Sequence, residues 1–255
     1  MEPTAIRVVS GNPSDELALE SWHYDSWFMP PPQVPLHPVV EEIEAYIDEV
    51  ALQRHPFFDK ARQSPDALIL WVSQELVMTN AFSQIVLNAA SRIVNVHLRA
   101  IFAEVAFGEH GVVRHGMAKR AHPWLLEQLR STLSIPKDHV VPRKMTVDFI
   151  DRLVVASRTP AGAAAAIGVG NERLIIPEYS AIKECFAALM PTVAYQPFLD
   201  ANLTEDISHS RLCYELASSL IACGVAPSEF LTQAKGAIQS RVRYFDELCL
   251  AAPTA

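Results

Sequence analysis

The sequence predicts an all-α protein, a bundle of about seven to eight helices, and three observations carry that expectation. Long segments repeat their apolar residues at spacings near three and four, the period of one helix face. Glycine is scarce, at nine residues in 255, and strands are hard to find. The breaks are marked by proline: Pro30-Pro31-Pro32 ends an irregular leader, Pro136 and Pro142 bracket a loop, and Pro177, Pro191 and Pro197 punctuate the later part.

Residues 1–36 form the first unit. With Trp22, Trp27, Phe28 and several prolines they are too aromatic for a free linker and too proline-rich for a helix. They are expected to pack as an extended arm over the bundle, with a lid over a site as the other use of such a segment. Residues 37–250 form a single helical domain. Its first helix covers 39–54, where Ile43, Tyr46, Ile47, Val50 and Leu52 share a face and acids crowd the front, as a helix dipole favours. Further helices are expected at 67–80, 81–108, 117–133, 145–166, 178–190, 203–223 and 227–250.

Composition excludes several classes of function. Half of the residues are hydrophobic, 50%, enough to bury a substantial core and too many for a disordered chain. A net charge of -8 with no basic run argues against a nucleic-acid surface. No stretch approaches the roughly 18 apolar residues of a membrane span. Met1-Glu2-Pro3-Thr4 opens no charged-then-apolar leader, so a cytoplasmic location is expected. Cys185, Cys213, Cys223 and Cys249 show no Cys-x-x-Cys spacing and sit in apolar helical patterns, which reads as reduced packing thiols.

The chemistry-bearing residues are Glu109 and His122, then Glu172, then Asp206 and His209. Carboxylates mixed with imidazoles are what iron or manganese takes when it must bind oxygen and change redox state. Glu109 ends an apolar helical run, where a carboxylate opposes the helix dipole and needs compensation, which a metal would supply. His122 precedes Pro123 at a helix start, and His115 is its rival nearby. Glu172 follows the small-residue stretch Ala163–Asn171, where helices approach closely; a charge buried there must be paired, by Arg173 or a cap, or coordinated. Asp206 and His209, at i and i+3, face one way and can reach one ion. Asn202, four residues before Asp206, fits either a ligand position or, with Glu205, a capping box that starts the helix.

In order, Glu109 with Gly111, His122-Pro123-Trp124-Leu125, Glu172, and Asn202 through His209 resemble the ligand motifs of the heme-oxygenase-like diiron oxidases and oxygenases. That family includes a chlamydial protein associating with death domains and enzymes that decarboxylate fatty acids or oxygenate nitrogen. Its motifs run Glu, His, Glu, then His-x-x-x-Asp-x-x-His, and the likeness covers roughly 37–225, including His55-Pro56-Phe57-Phe58. Two departures stand out. The gap from Glu109 to His122 is longer than usual, which keeps His115 in contention, although the His-Pro-Trp-Leu context favours His122. Asn202 stands where the family has a histidine, and an amide oxygen is the weaker donor.

The resemblance implies a heme-oxygenase-like bundle holding Fe(II), two ions with one strong and one weak site. Glu109, His122, Glu172, Asp206 and His209 would ligate, Asn202 would mark the weak subsite, and Glu109, Glu172 and Asp206 would be the catalytic carboxylates. The partners would be dioxygen and a small metabolite such as an amino acid or fatty acid, with Arg114, Arg173 and Lys183 as candidates to hold a substrate carboxylate. A homodimer is expected. Two other readings stay open: a metal-free enzyme resembling TenA or pyrroloquinoline quinone synthase proteins, the TenA type needing a thiol of depressed pKa at Cys185 or Cys213, and a non-catalytic binding protein of the same fold.

Overall fold

The computed structural model describes residues 27–114 and 117–253, and of 112–119 the backbone only. Helix α1 (Val39–Val50) carries Glu41 and Glu42 in its first turn and buries Val39, Val40, Ile43 and Ile47. It stops short of residue 54 because Ala51 turns left-handed, at φ 45°, into a 3-10 turn at Leu52–Arg54. The His55 side chain caps α2 (Pro56–Ala61), accepting from Phe57 N at 3.1 Å, and Phe57 and Phe58 bury completely against Phe245.

Helix α3 (Pro65–Ser91) runs unbroken through the boundary expected after residue 80. The break falls at 92–95, where Asn95 Oδ1 accepts from His97 N and Leu98 N at 3.0 and 3.2 Å and so caps α4 (Val96–His110). Gly111, at φ 61°, ends α4. A helix was expected from 117; instead β1 (Val112–Arg114) and β2 (Met117–Lys119) pair antiparallel, Val112 opposite Lys119. That hairpin reverses the chain into α5 (His122–Thr132), with Pro123 in its first turn.

Helix α6 (Lys144–Ala156) ends ten residues before its expected limit of 166. Thr159 then caps α7 (Pro160–Ala163), accepting from Gly162 N at 3.1 Å. The chain continues without interruption through a widened, π-helical segment (Ala164–Arg173) into α8 (Leu174–Leu189). Pro177, expected as punctuation, lies inside α8 at the seam between the two helical forms. The wide segment lies between α9 (Gln196–Ala222) and α10 (Pro227–Ala251). Its small residues make this fit: a Cβ on Gly168 would lie 2.1 Å from Cys213 Cβ, and one on Gly170 would lie 2.4 Å from Ala237 Cβ. The all-α architecture stands as expected, with the hairpin as the one sheet among the described residues. No helix among those residues is long and apolar enough to cross a membrane.

One element of the core has no counterpart in the sequence reading. Arg241, 1% exposed, donates to Glu178 through Nε at 2.8 Å and Nη2 at 2.6 Å, and to both Glu75 oxygens at 3.2 Å. Tyr179 donates to Glu75 at 2.9 Å and Trp71 to Glu178 at 3.3 Å. The guanidinium also lies against the rings of Phe149, Tyr244 and Phe245.

The described part of the arm is anchored at Asn95 and Ser218. Asn95 Nδ2 donates to Met29 O and Ser218 Oγ accepts from His37 N, both at 2.9 Å. These anchors lie about 18 Å or more along α4 and α9 from Glu109 and Asp206. Residues 1–26, with Trp22, lie outside the described residues.

Candidate metal centre

Four stretches of chain deliver the five expected ligand types to one buried place. Glu109 comes from the last turn of α4 and His122 from the first residue of α5; the hairpin between them brings His122 Nδ1 to 3.0 Å from Glu109 Oε1. Glu172 closes the π-helical segment, and Asp206 and His209 project from α9. His209 Nδ1 lies 3.3 Å from Glu172 Oε2 and 3.9 Å from Asp206 Oδ1. Ligand atoms of Glu172, Asp206 and His209 all fall within 4.8 Å of one another. All five residues are buried, His122 completely and none more than 5% exposed.

The cluster is short of hydrogen bonds. Glu109 Oε2, His122 Nε2, Glu172 Oε1 and both Asp206 oxygens are buried without a partner, five of the nine such atoms among the described residues. Each leaves a desolvation cost on the order of 1–3 kcal/mol unmet, and native cores rarely leave so many together.

The electrostatics express the same shortage of positive charge. Burial opposes a charge on His122, but the Glu109 carboxylate, and then Glu205, outweigh it and push the imidazolium up to about 10. His209 is likewise disfavoured by burial and raised on balance by Glu172. Burial first, then the Glu172, Glu109 and Glu205 carboxylates, hold the Asp206 carboxyl well above its ordinary range. In this form protons serve as the counter-ions.

Two participants escaped the sequence reading. Glu205 Oε2 lies 3.5 Å from His122 Nε2, an ion-pair distance at which no hydrogen bond is yet formed, and that pairing, against burial, lowers the Glu205 carboxyl. Gly108 permits the closest helix approach: a Cβ there would lie 2.6 Å from His209 Cε1 and 2.9 Å from Glu205 Oε2. A glycine one residue before a helix-end glutamate was the available signal.

Other expectations are corrected. Asn202 is not a helix cap, since α9 starts at Gln196 and Asn202 lies inside it, its Nδ2 donating to Phe198 O at 2.8 Å. It is buried one turn before Asp206. Arg173 does not pair with Glu172; its guanidinium grips Glu44 in three hydrogen bonds of 2.6 to 3.1 Å. Lys183 is exposed and paired with Asp200 at 2.5 Å. The side chain of Arg114 and the whole of His115 lie outside the described residues. Burial pushes the Cys185 thiol up to about 11, and the fully buried Cys213 thiol is raised as well, the reverse of an activated nucleophile.

No protein-family model and no curated protein matches the sequence. Solved structures do share its fold. A TenA homologue from Pseudomonas syringae pv. tomato superposes with a TM-score of 0.64 at 10% identity, over 86% of this chain and 97% of that one. A CADD-like protein of unknown function from Nostoc punctiforme gives 0.59 at 18% identity, over 83% and 97%. A TenA family transcription regulator from a Silicibacter species gives 0.55 at 12% identity, over 84% and 98%. The chain therefore shares the all-α fold of these TenA-family and CADD-like structures, and identities this low establish the fold alone.

Proposed function

We propose that this chain is a non-heme iron oxidase or oxygenase that activates dioxygen for reaction with a small metabolite, such as an amino acid or fatty acid. The observation that supports it most is the buried set Glu109, His122, Glu172, Asp206 and His209, with unpartnered polar atoms and, among the described residues, no lysine or arginine paired to it. Carboxylates with imidazoles suit Fe(II) better than the all-oxygen sites of calcium and magnesium or the thiolate-rich sites of structural zinc. Two divalent ions would neutralise Glu109, Glu172, Asp206 and Glu205 with both imidazoles uncharged, replacing the protons that now hold the charge. Glu172, Asp206 and His209 would form the stronger subsite; Glu109, His122 and the Asn202 amide oxygen the weaker. When bound, iron supplies the dioxygen chemistry. The protein's part is to hold these donors on rigid helices and to exclude water with the surrounding core.

The test is anaerobic titration of metal-free protein with Fe(II), followed by oxygen-electrode measurement. One to two tightly bound ions and dioxygen uptake are expected, and Asp206→Ala with His209→Ala should abolish both. Retained stoichiometry in that double variant would sink the assignment. A metal-free enzyme of the TenA kind is the second reading, favoured by the shared fold; the raised thiol pKa values of Cys185 and Cys213 count against its nucleophilic-cysteine form.

A further inference from the structure

The two histidines of the centre are oriented alike. His122 Nδ1 faces Glu109 at 3.0 Å and His209 Nδ1 faces Glu172 at 3.3 Å, so in each ring Nδ1 points toward the fully buried carboxylates. On the other side of the His122 ring stands Glu205. Glu205 Oε2 lies 3.5 Å from His122 Nε2. Glu205 Oε2 and His209 Nε2 lie 2.9 and 3.0 Å from the point that a Cβ of residue 108 would occupy, a space open only because that residue is glycine. Glu205 also differs in setting: its side chain is 32% exposed, whereas that of Glu109 is 4% and that of Asp206 is 1%.

From this arrangement we infer that Glu205 is a positioning residue rather than a ligand: its carboxylate accepts the Nε2–H of His122, so that this ring presents Nδ1 to the metal. The inference rests on the metal-binding reading above. Imidazole ligands commonly donate their second ring N–H to a carboxylate, which fixes tautomer and ring plane, and loss of such a partner costs about 10–100-fold in metal affinity. Glu205 reaches the solvent edge and can keep its charge there at little desolvation cost. Asp206, the next residue, points into the buried cluster, so consecutive residues of α9 serve the two sides of the histidines.

The experiment uses the full chain and two probes, Fe(II) added anaerobically for affinity and Zn(II) as a diamagnetic ion for NMR of the histidine ring nitrogens. In the zinc-loaded wild type, His122 should carry its proton on Nε2 and its metal on Nδ1. Glu205→Ala should bind the same number of Fe(II) ions with affinity lower by about 10–100-fold and show fast exchange of the Nε2 proton. Glu205→Gln, whose amide oxygen still accepts that proton, should recover most of the affinity. Three results would overturn the inference: a metal on His122 Nε2, a lost ion in Glu205→Ala, which would make Glu205 a ligand, or unchanged affinity in that variant. A wild type that binds neither ion brings down the metal-binding reading itself, and the positioning role with it.

Discussion

This bundle buries two clusters of charge, and they are built on opposite principles. Around Arg241 the guanidinium lies between Glu75 and Glu178, and Tyr179 and Trp71 supply further donors. That cluster contains its own cation and nearly closes its hydrogen bonds, with Arg241 Nη1 as its one orphan among the described residues. Around Glu172 the acids gather with only two imidazoles, and both oxygens of Asp206 go unanswered. Similar burial therefore accompanies different states of completion. A buried charge is tolerated when its partner is present; the first cluster holds its partner in the fold, and under the metal-binding proposal the second takes one from solution.

Replacing one polar group in each cluster should have unlike consequences in the metal-free protein. Arg241→Leu strands two buried carboxylates and should cost about 3–5 kcal/mol in urea unfolding. Asp206→Asn puts an uncharged amide where burial and the acidic neighbours already favour the protonated carboxyl, and should leave the urea midpoint unchanged or raise it while weakening Fe(II) binding. Equal destabilisation by the two substitutions would erase the distinction drawn between the clusters.

The closed cluster should also have its own pH signature. Burial drives the Glu178 carboxyl up, Arg241 opposes it and Glu75 adds to it, leaving it at about 7 against an ordinary 4.5. Because the folded form holds the proton more tightly, the group's contribution is fully present below about 4.5 and is lost as pH rises through about 7. The fall is on the order of 3 kcal/mol, since each pH unit between those limits removes about 1.4 kcal/mol. Urea midpoints across this range should slope downward for the wild type, relative to Glu178→Gln, which has no carboxyl to titrate. Parallel curves for the two proteins would show that Glu178 is ionised throughout.

The contrast also explains what the sequence could and could not reveal. The five ligand types were legible because a carboxylate at a helix end, a glutamate in an alanine-glycine stretch and an acid-histidine pair at i, i+3 are each odd in their local setting. Arg241 was not legible. It reads as one more polar residue on a helix, and its partners Glu178 and Glu75 lie 63 and 166 residues away. Glu205 was misread for a related reason. With the start of α9 placed at 203 rather than Gln196, Asn202 and Glu205 took on the look of a capping box. The all-α class survived such errors because the apolar period marks faces well, whereas ends depend on single residues such as Asn95 and Ala51.

The smallest expected effect concerns the residue that makes the open cluster uneven. Asn202 lies one turn before Asp206 and donates its amide nitrogen to Phe198 O, so its oxygen is the donor left for a metal. Replacing it with histidine substitutes a stronger donor at the same helical station. If the weaker subsite includes this position, Asn202→His should tighten the second Fe(II) by about tenfold, about 1.4 kcal/mol, and leave the first unchanged. Asn202→Ala should loosen the second ion and cost little stability, since no helix cap is lost. The two-site fit of the titration separates these outcomes from a general change in folding, which would move both affinities together. An identical second affinity in wild type, Asn202→His and Asn202→Ala would remove Asn202 from the centre, leaving Glu109 and His122 as the whole of the weaker half.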